Sequence, residues 1–259
     1  MASKTRVTFV GTATVIPTTG RESTCLVVND DLMVDAGWCG ALRMVDLGLN
    51  PTRIRYFLLT HGHQDHYLGL PALLFYRWMV GQWNVASAPL KVLGPKEEIA
   101  LLVELTRDFL TKRDPLKDWQ EPEVVALSPG DEVELDGYRV RCCRALHPVP
   151  ALCYRIEDTR TGAQLAVSGD TARNPDLVRL AARCHLLVHE ATLVTQKEEQ
   201  NPYGHSSAEV AAQVAAQASV ERLLMVHHDL AQAEKLREAA RKHFASSDAA
   251  ADGLVVELP

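Results

Sequence analysis

The sequence predicts a layered α/β protein, two sheets with helices on their outer faces. Three observations carry this. Short β-rich runs alternate with helical patterns along all 259 residues, both halves of the chain run strands into helices, and no low-complexity linker divides the halves. Strands are expected at 6–10, 25–28, 32–35, 54–60, 91–93, 123–127, 132–135, 138–145, 152–157 and 164–168, then at 186–189, 222–226 and 254–257. These runs are rich in Val, Leu and Tyr and are bounded by Gly, Asp, Asn or Pro. Asn29-Asp30-Asp31, Asp136-Gly137 and residues 159–162 stand where hairpin turns are expected.

Helices are expected at 40–47, 66–80, 96–112, 174–183, 206–218 and 232–244. The fifth opens on Ser206-Ser207-Ala208-Glu209, a hydroxyl with Glu three residues on, which reads as a capping box. Residues 113–122 form the best internal joint and read as a connection within one domain spanning 1–259, with no strict sequence repeat between the halves.

Composition excludes several classes. With 47% apolar and 23% charged residues the chain has the balance of a soluble globular protein. Its length is enough to bury a core without disulfides or metal. The net charge of −6 argues against non-specific attraction to nucleic acid, though not against a local basic patch. No apolar run is long enough to span a membrane, and the start Met1–Val10 lacks the apolar core of a signal peptide. Cys25, Cys39, Cys142, Cys143, Cys153 and Cys184 show no CxxC spacing and read as reduced core residues of a cytoplasmic protein.

The most informative segment is Leu58-Leu-Thr-His-Gly-His-Gln-Asp-His66. Three imidazoles and a carboxylate follow an apolar strand, and these are ligands for Zn²⁺ and its transition-series neighbours. Alternate residues of an extended segment share a side, so His61 and His63 can meet one ion. The turn after them can aim Asp65 and His66 at a second, and Gly62 permits the tight backbone. Further candidates stand at other strand ends: His147, Asp170, and the pair His227 and His228. As a set these residues complete a seven-ligand dinuclear site. His227 is preferred to His228 because it comes first after its strand.

In this order and placement the residues resemble the metallo-β-lactamase superfamily. The resemblance implies a four-layer αβ/βα sandwich. It implies that His61, His63 and His147 hold one ion, that Asp65, His66 and His227 hold the other, and that Asp170 bridges them. The segments Asp35-Ala-Gly37, His189-Glu-Ala-Thr192, Gly204-His-Ser-Ser207 and the run from His147 to Ile156 are similar to the ribonuclease Z branch, with Cys153 where that branch commonly has Gly. That likeness implies Glu190 and His205 as a joint proton donor. A carboxylate beside an imidazole fixes its tautomer and favours imidazolium, which can protonate a leaving oxygen.

The implied activity is dinuclear metal-dependent hydrolysis, a phosphodiester being the best substrate class. Two divalent ions, Zn first with Mn or Fe as alternatives, would supply hydroxide near neutral pH, and Asp65 would ligate and orient it. The branch's tRNA-processing members often carry a long basic arm between the equivalents of His147 and Asp170, whereas residues 148–169 read as two strands and a turn. The expected substrate is therefore a small molecule or short nucleotide ester, with RNA not favoured. Competing readings are hydrolysis of a carboxylic ester, lactone, thioester or sulfate ester, tRNA 3′ processing, iron-based redox chemistry, and a non-catalytic metal-binding module. A homodimer is left open.

Other residues receive lesser roles. Residues 70–83, with Phe75, Tyr76, Trp78 and Trp83, read as a core-facing helix, with a pocket wall, lid or dimer surface as the alternative. Asp35 is expected to orient the ligand loop. His189 is expected to contact a ligand carboxylate and His185 to be structural. His243 and the group Lys112, Arg113 and Lys117 are expected to be solvated.

Overall fold

The computed structural model describes residues 4–196 and 202–259; Met1–Ser3 of the polar start lie outside the described residues. Two seven-stranded sheets face each other. The first has the order β14 (Val255–Leu258), β1 (Thr5–Gly11), β2 (Cys25–Val28), β3 (Leu32–Val34), β4 (Tyr56–Leu58), β5 (Lys91–Pro95) and β6 (Glu123–Leu127). The second has the order β13 (Ser247–Ala249), β12 (Arg222–Val226), β11 (Leu186–Glu190), β10 (Gln164–Val167), β9 (Leu152–Asp158), β8 (Tyr138–Arg144) and β7 (Glu132–Leu135).

From β14, the first sheet makes three antiparallel pairings and then three parallel ones. From β7, the second sheet does the same. The halves therefore repeat as topology, although their sequences show no repeat. Backbone pairing needs only a buried, extended pattern, which many side-chain sets satisfy.

Three apolar clusters fix the layers. One lies between the sheets and joins Phe9, Leu26 and Leu58 to Tyr138, Tyr154 and Val188. A second packs the outer face of the first sheet, through Met33, Phe57 and Leu59, against α1 (Gly40–Asp46), α3 (Gly69–Gly81) and α4 (Ile99–Thr111). The third packs the other outer face against α5 (Pro175–Leu180), α6 (Ala208–Ala218) and α7 (Ala233–Arg241). The result is a four-layer αβ/βα sandwich. The central strands are buried on both faces and so read as continuous apolar runs.

Most elements begin and end within a few residues of expectation, and three local readings need correction. The helix expected at 66–80 is two, a short α2 (Gln64–Tyr67) and α3, because the loop after β3 enters between them. Ala36 N–H donates to His66 O and Gly69 N–H to Gly37 O. A Cβ on Gly69 would meet Ala36 O at 2.1 Å. The capping box is shifted: Ser207 caps α6 by accepting from Val210 N, Glu209 is not at the reciprocal position, and Ser206 Oγ donates to Thr171 O instead. The short polar β13 carried no apolar signal and was not expected.

All six cysteines are free; Cys39 is exposed rather than in the core. The helix expected within 70–83 is α3, which ends at Gly81 and faces the core through Leu70, Leu73 and Leu74; Phe75 on it and Trp83 in the turn beyond it are exposed. Among the described residues, no helix is long and apolar enough to cross a membrane.

The sheets are stitched together beside the ligand loop. Tyr154, on β9, donates its hydroxyl hydrogen to Leu59 O at 2.6 Å, and Leu152 N–H donates to Thr60 O. Tyr154→Phe strands a buried carbonyl and is expected to cost about 1–3 kcal/mol in urea unfolding.

Candidate metal and catalytic site

Every sequence-selected ligand candidate lies at one edge of the sandwich, where strands of both sheets end. β4 leads into His61 and His63, and the single turn α2 carries Asp65 and His66. Asp170 follows β10, with Gly169 at φ +57. At Gly169 a Cβ would lie 2.8 Å from Thr60 Cβ, so both conformation and space require glycine. Gly62 is crowded rather than held in a glycine-only turn, and a Cβ there would make the ends of the Glu98 and Leu102 side chains move. It lies in the path of α4, where a Cβ would meet Glu98 Oε2 at 2.2 Å and Leu102 Cδ1 at 3.0 Å.

Three overlapping groups of atoms result. His61, His63, His147 and Asp170 bring ligand atoms within 4.8 Å of one another, as do Asp65, His66 and His227, and as do Asp170, His205 and His227. Asp170 Oδ2 stands between the first two, 3.8 Å from His61 Nε2 and 3.5 Å from both His66 Nε2 and His227 Nε2.

The second nitrogen of each ring decides what the first presents. His66 Nδ1 donates to Asp35 Oδ2 at 2.8 Å. Asp35 also accepts from Thr60 N and Thr60 Oγ1, which leaves Thr60 Oγ1 to accept from His61 Nδ1 at 3.0 Å. His147 Nδ1 donates to Gly204 O. His227 Nδ1 donates to Thr192 Oγ1 at 2.8 Å, since the Thr192 hydroxyl hydrogen goes to Glu190 Oε2. With Nδ1–H engaged, a neutral ring turns a bare Nε2 into the cleft. His63 Nδ1 and His147 Nε2 face each other at 3.1 Å.

His61 Nε2, His66 Nε2 and Asp170 Oδ1 are buried with no hydrogen-bond partner among the described residues. Buried polar atoms of this kind ordinarily have partners. Buried, unpartnered imidazole nitrogens and a carboxylate oxygen converging on one space fit a cation, and the imidazole–carboxylate set fits a divalent transition-series ion.

The charges agree. Burial works against ionised Asp170, but His227 and His66 beside it hold its carboxyl well below the usual range. Asp65 is likewise held far down against its burial by His227 and His66. Burial pushes the His61 imidazole toward its neutral form.

Glu190 and His205 also meet here. Glu190 Oε1 accepts from His205 Nδ1 and from Thr171 N, each at 3.0 Å, and Oε2 accepts from Thr192 N and Oγ1. Burial alone would lower the His205 pKa; the Glu190 carboxylate raises it to about 9. His205 is therefore held as imidazolium near neutral pH, with Nε2 left for another partner.

Several expectations sort themselves here. His228 turns out of the cluster, its Nδ1 against Asp229 O, whereas His227 is in it. His189 touches no ligand carboxylate: its Nδ1 faces the backbone carbonyl of Glu190 among the outer helices. His185 Nδ1 accepts from Gln164 N, a structural contact, and His243 is exposed, as are Lys112, Arg113 and Lys117. Thr60 and Thr192 had no expected role, although both lie in segments singled out for their neighbours. Glu22 carried no signal at all. It is buried and accepts from Trp38 N and Cys39 N, holding the loop that follows Asp35.

The sequence model of the β-lactamase superfamily domain matches residues 32–228. The chain belongs to the metallo-β-lactamase superfamily. It is 30% identical to a ribonuclease Z of Myxococcus xanthus over 98% of each protein, which places it on the ribonuclease Z-like branch. That alignment runs over 311 positions, so the relative carries segments with no counterpart in these 259 residues. Among solved structures it is similar to the metallo-β-lactamase fold protein YhfI from Bacillus subtilis (TM-score 0.82, 20% identity, 98% of this chain and 99% of that one). It is also similar to the short form of human tRNase Z (TM-score 0.79, 22% identity, again 98% and 99%). The protein is a hydrolase of this fold.

Gly169→Ala tests how tightly the cluster loop is held. A side chain at positive φ against Thr60 is expected to cost about 1–3 kcal/mol, read by urea unfolding.

Proposed function

We propose that this protein is a metal-dependent phosphodiester hydrolase in which Glu190 and His205 deliver a proton to the leaving oxygen. The observation that carries this is the 3.0 Å contact between Glu190 Oε1 and His205 Nδ1 beside the His/Asp cluster. His61, His63 and His147 would hold one ion, Asp65, His66 and His227 a second, with Asp170 shared between them. Such ions, when bound, supply Lewis-acid charge and lower the pKa of water. Zinc suits these ligands, and Mn or Fe suits them too.

The chain's own residues supply the acid. Glu190 fixes the His205 ring by taking its Nδ1–H, so that the Nε2–H is the proton aimed outward. Thr192 and Thr171 N–H hold Glu190 in turn, so the carboxylate is not free to swing toward the cluster. Asp35, through Thr60 and His66, keeps two rings at fixed angles.

A compact phosphodiester is the favoured substrate. Between His147 and Asp170 the chain holds only β9, a tight turn and β10, leaving no arm to grip a large RNA. A second reading, cleavage at the 3′ end of a tRNA precursor, is favoured by the full-length likeness to a ribonuclease Z. The ratio of kcat/KM for bis(p-nitrophenyl) phosphate and for a precursor tRNA separates the two.

Removal of metal by chelation, or Asp65→Ala, is expected to abolish turnover of bis(p-nitrophenyl) phosphate; a fully active metal-free protein rejects the proposal. His205→Ala and Glu190→Gln are expected to slow diesters with alkyl leaving groups by about 10²–10⁴-fold and p-nitrophenyl esters far less. Equal losses on both would remove the acid role. His227→Ala is expected to lower the metal content per chain by elemental analysis, while His228→Gln leaves it unchanged. Asp35→Ala is expected to weaken metal binding about 10–100-fold.

A further inference from the structure

Away from the cluster, on the outer face of the second sheet, lies an open groove of about 490 Å³ between β8, α5 and the loop at Pro129–Gly130. Four arginines line it, Arg141, Arg144, Arg155 and Arg179, with Asp176 as the one acidic residue in its lining. In a chain of net charge −6 this is a local concentration of positive charge.

Arg141 and Arg155 are direct cross-strand partners on the antiparallel pair β8–β9. Like charges placed opposite each other destabilise a sheet. The next pair on the same face, Arg139 and Glu157, has the favourable opposite signs and an ion pair at 3.5 Å. Arg141 and Arg179 are offset by Glu132 and Asp176 respectively. Among the described residues Arg155 is held by neutral acceptors only: it donates to Leu180 O at 2.8 Å, Ala182 O at 3.0 Å and Gln164 Oε1 at 2.5 Å. Its guanidinium is therefore fixed in place with its charge uncompensated. Arg144, exposed at the end of β8, forms no side-chain hydrogen bond or ion pair with any described residue.

We infer that this groove is a binding site for a phosphate group, held by Arg144 and Arg155 and flanked by Arg141 and Arg179. A planar guanidinium matches the paired oxygens of a phosphate, and a rigid one loses little freedom on binding. An anion between Arg141 and Arg155 also relieves the cross-strand repulsion. The phosphate has two sources: a free phosphate or phosphate monoester, or the backbone of an oligonucleotide. Arg144 stands three residues before His147, and its carbonyl accepts from Asn174 Nδ2, the residue that caps α5 shortly after Asp170. A chain lying in the groove would thus border both loops that enter the cluster. The inference stands without the proposed activity, because it concerns binding alone.

Its test is equilibrium binding to the metal-loaded protein, with inorganic phosphate and a labelled twelve-nucleotide oligothymidylate as probes. Arg144→Glu and Arg179→Glu, both at exposed positions, are the variants, and side-chain Nε–H resonances of ¹⁵N-arginine protein are the local reporter. Phosphate is expected to shift the Arg144 and Arg155 resonances in the unaltered protein. At least one probe is expected to lose affinity about tenfold in both variants, with a shallower salt dependence. Weakened oligonucleotide binding identifies a backbone as the source; weakened phosphate binding with unchanged oligonucleotide binding identifies a free phosphate. Arginine resonances unmoved by either probe, or affinities for both probes unchanged in both variants, overturn the inference.

Discussion

Imidazole nitrogens and carboxylate oxygens crowded into one space constrain everything around the cleft. His63 Nδ1 and His147 Nε2 stand 3.1 Å apart, and Asp170 Oδ2 lies 3.5 Å from His66 Nε2 and from His227 Nε2. Four of the five rings are fixed from behind. Asp35, Thr60, Thr192 and the carbonyl of Gly204 provide this by taking the Nδ1–H of four histidines. A cation at their meeting point would satisfy the nitrogens and the carboxylate oxygens together.

The backing residues are in turn expensive to place. Asp35 and His227, neither of them glycine, hold left-handed backbone at φ 54 and φ 56. Such conformations persist where surrounding contacts over-determine them. Asp35 has three hydrogen bonds to its carboxylate and a backbone bond to Leu58 O. His227 lies between Thr192 and Asp65. The sandwich supplies the rigidity this requires: strand ends from two sheets are stitched together by Tyr154 and Leu152 directly behind the ligand loop. The same second sheet exposes, on its far face, the arginine groove, where like charges are opposed and a ligand of the other sign is the natural partner.

The layered fold was legible because central strands are long apolar runs and the helices carry start signals, such as the hydroxyls at Ser206-Ser207. The break between α2 and α3 was not, because it is made by Ala36 and Gly37 from a distant loop rather than by a local breaker. The shift of the cap from Ser206 to Ser207 has a similar origin, since Ser206 is occupied by Thr171 O. The topological repeat of the sheets leaves no trace in residue identities, because pairing reads burial and not side-chain type.

At the site, the sequence by itself determined the chemistry available. Three imidazoles and a carboxylate within 61–66, and further His and Asp at strand ends, are a donor set suited to divalent metal ions, since ligand type follows from residue type. Which nitrogen each ring presents, why His227 and not His228 enters the cluster, and why His189 points away were decided only by tertiary structure. Those choices depend on acceptors up to dozens of residues distant, such as Asp35 for His66 and Thr192 for His227. A hydrogen bond to one ring nitrogen fixes the proton on both, and no pattern along the chain records which acceptor will arrive.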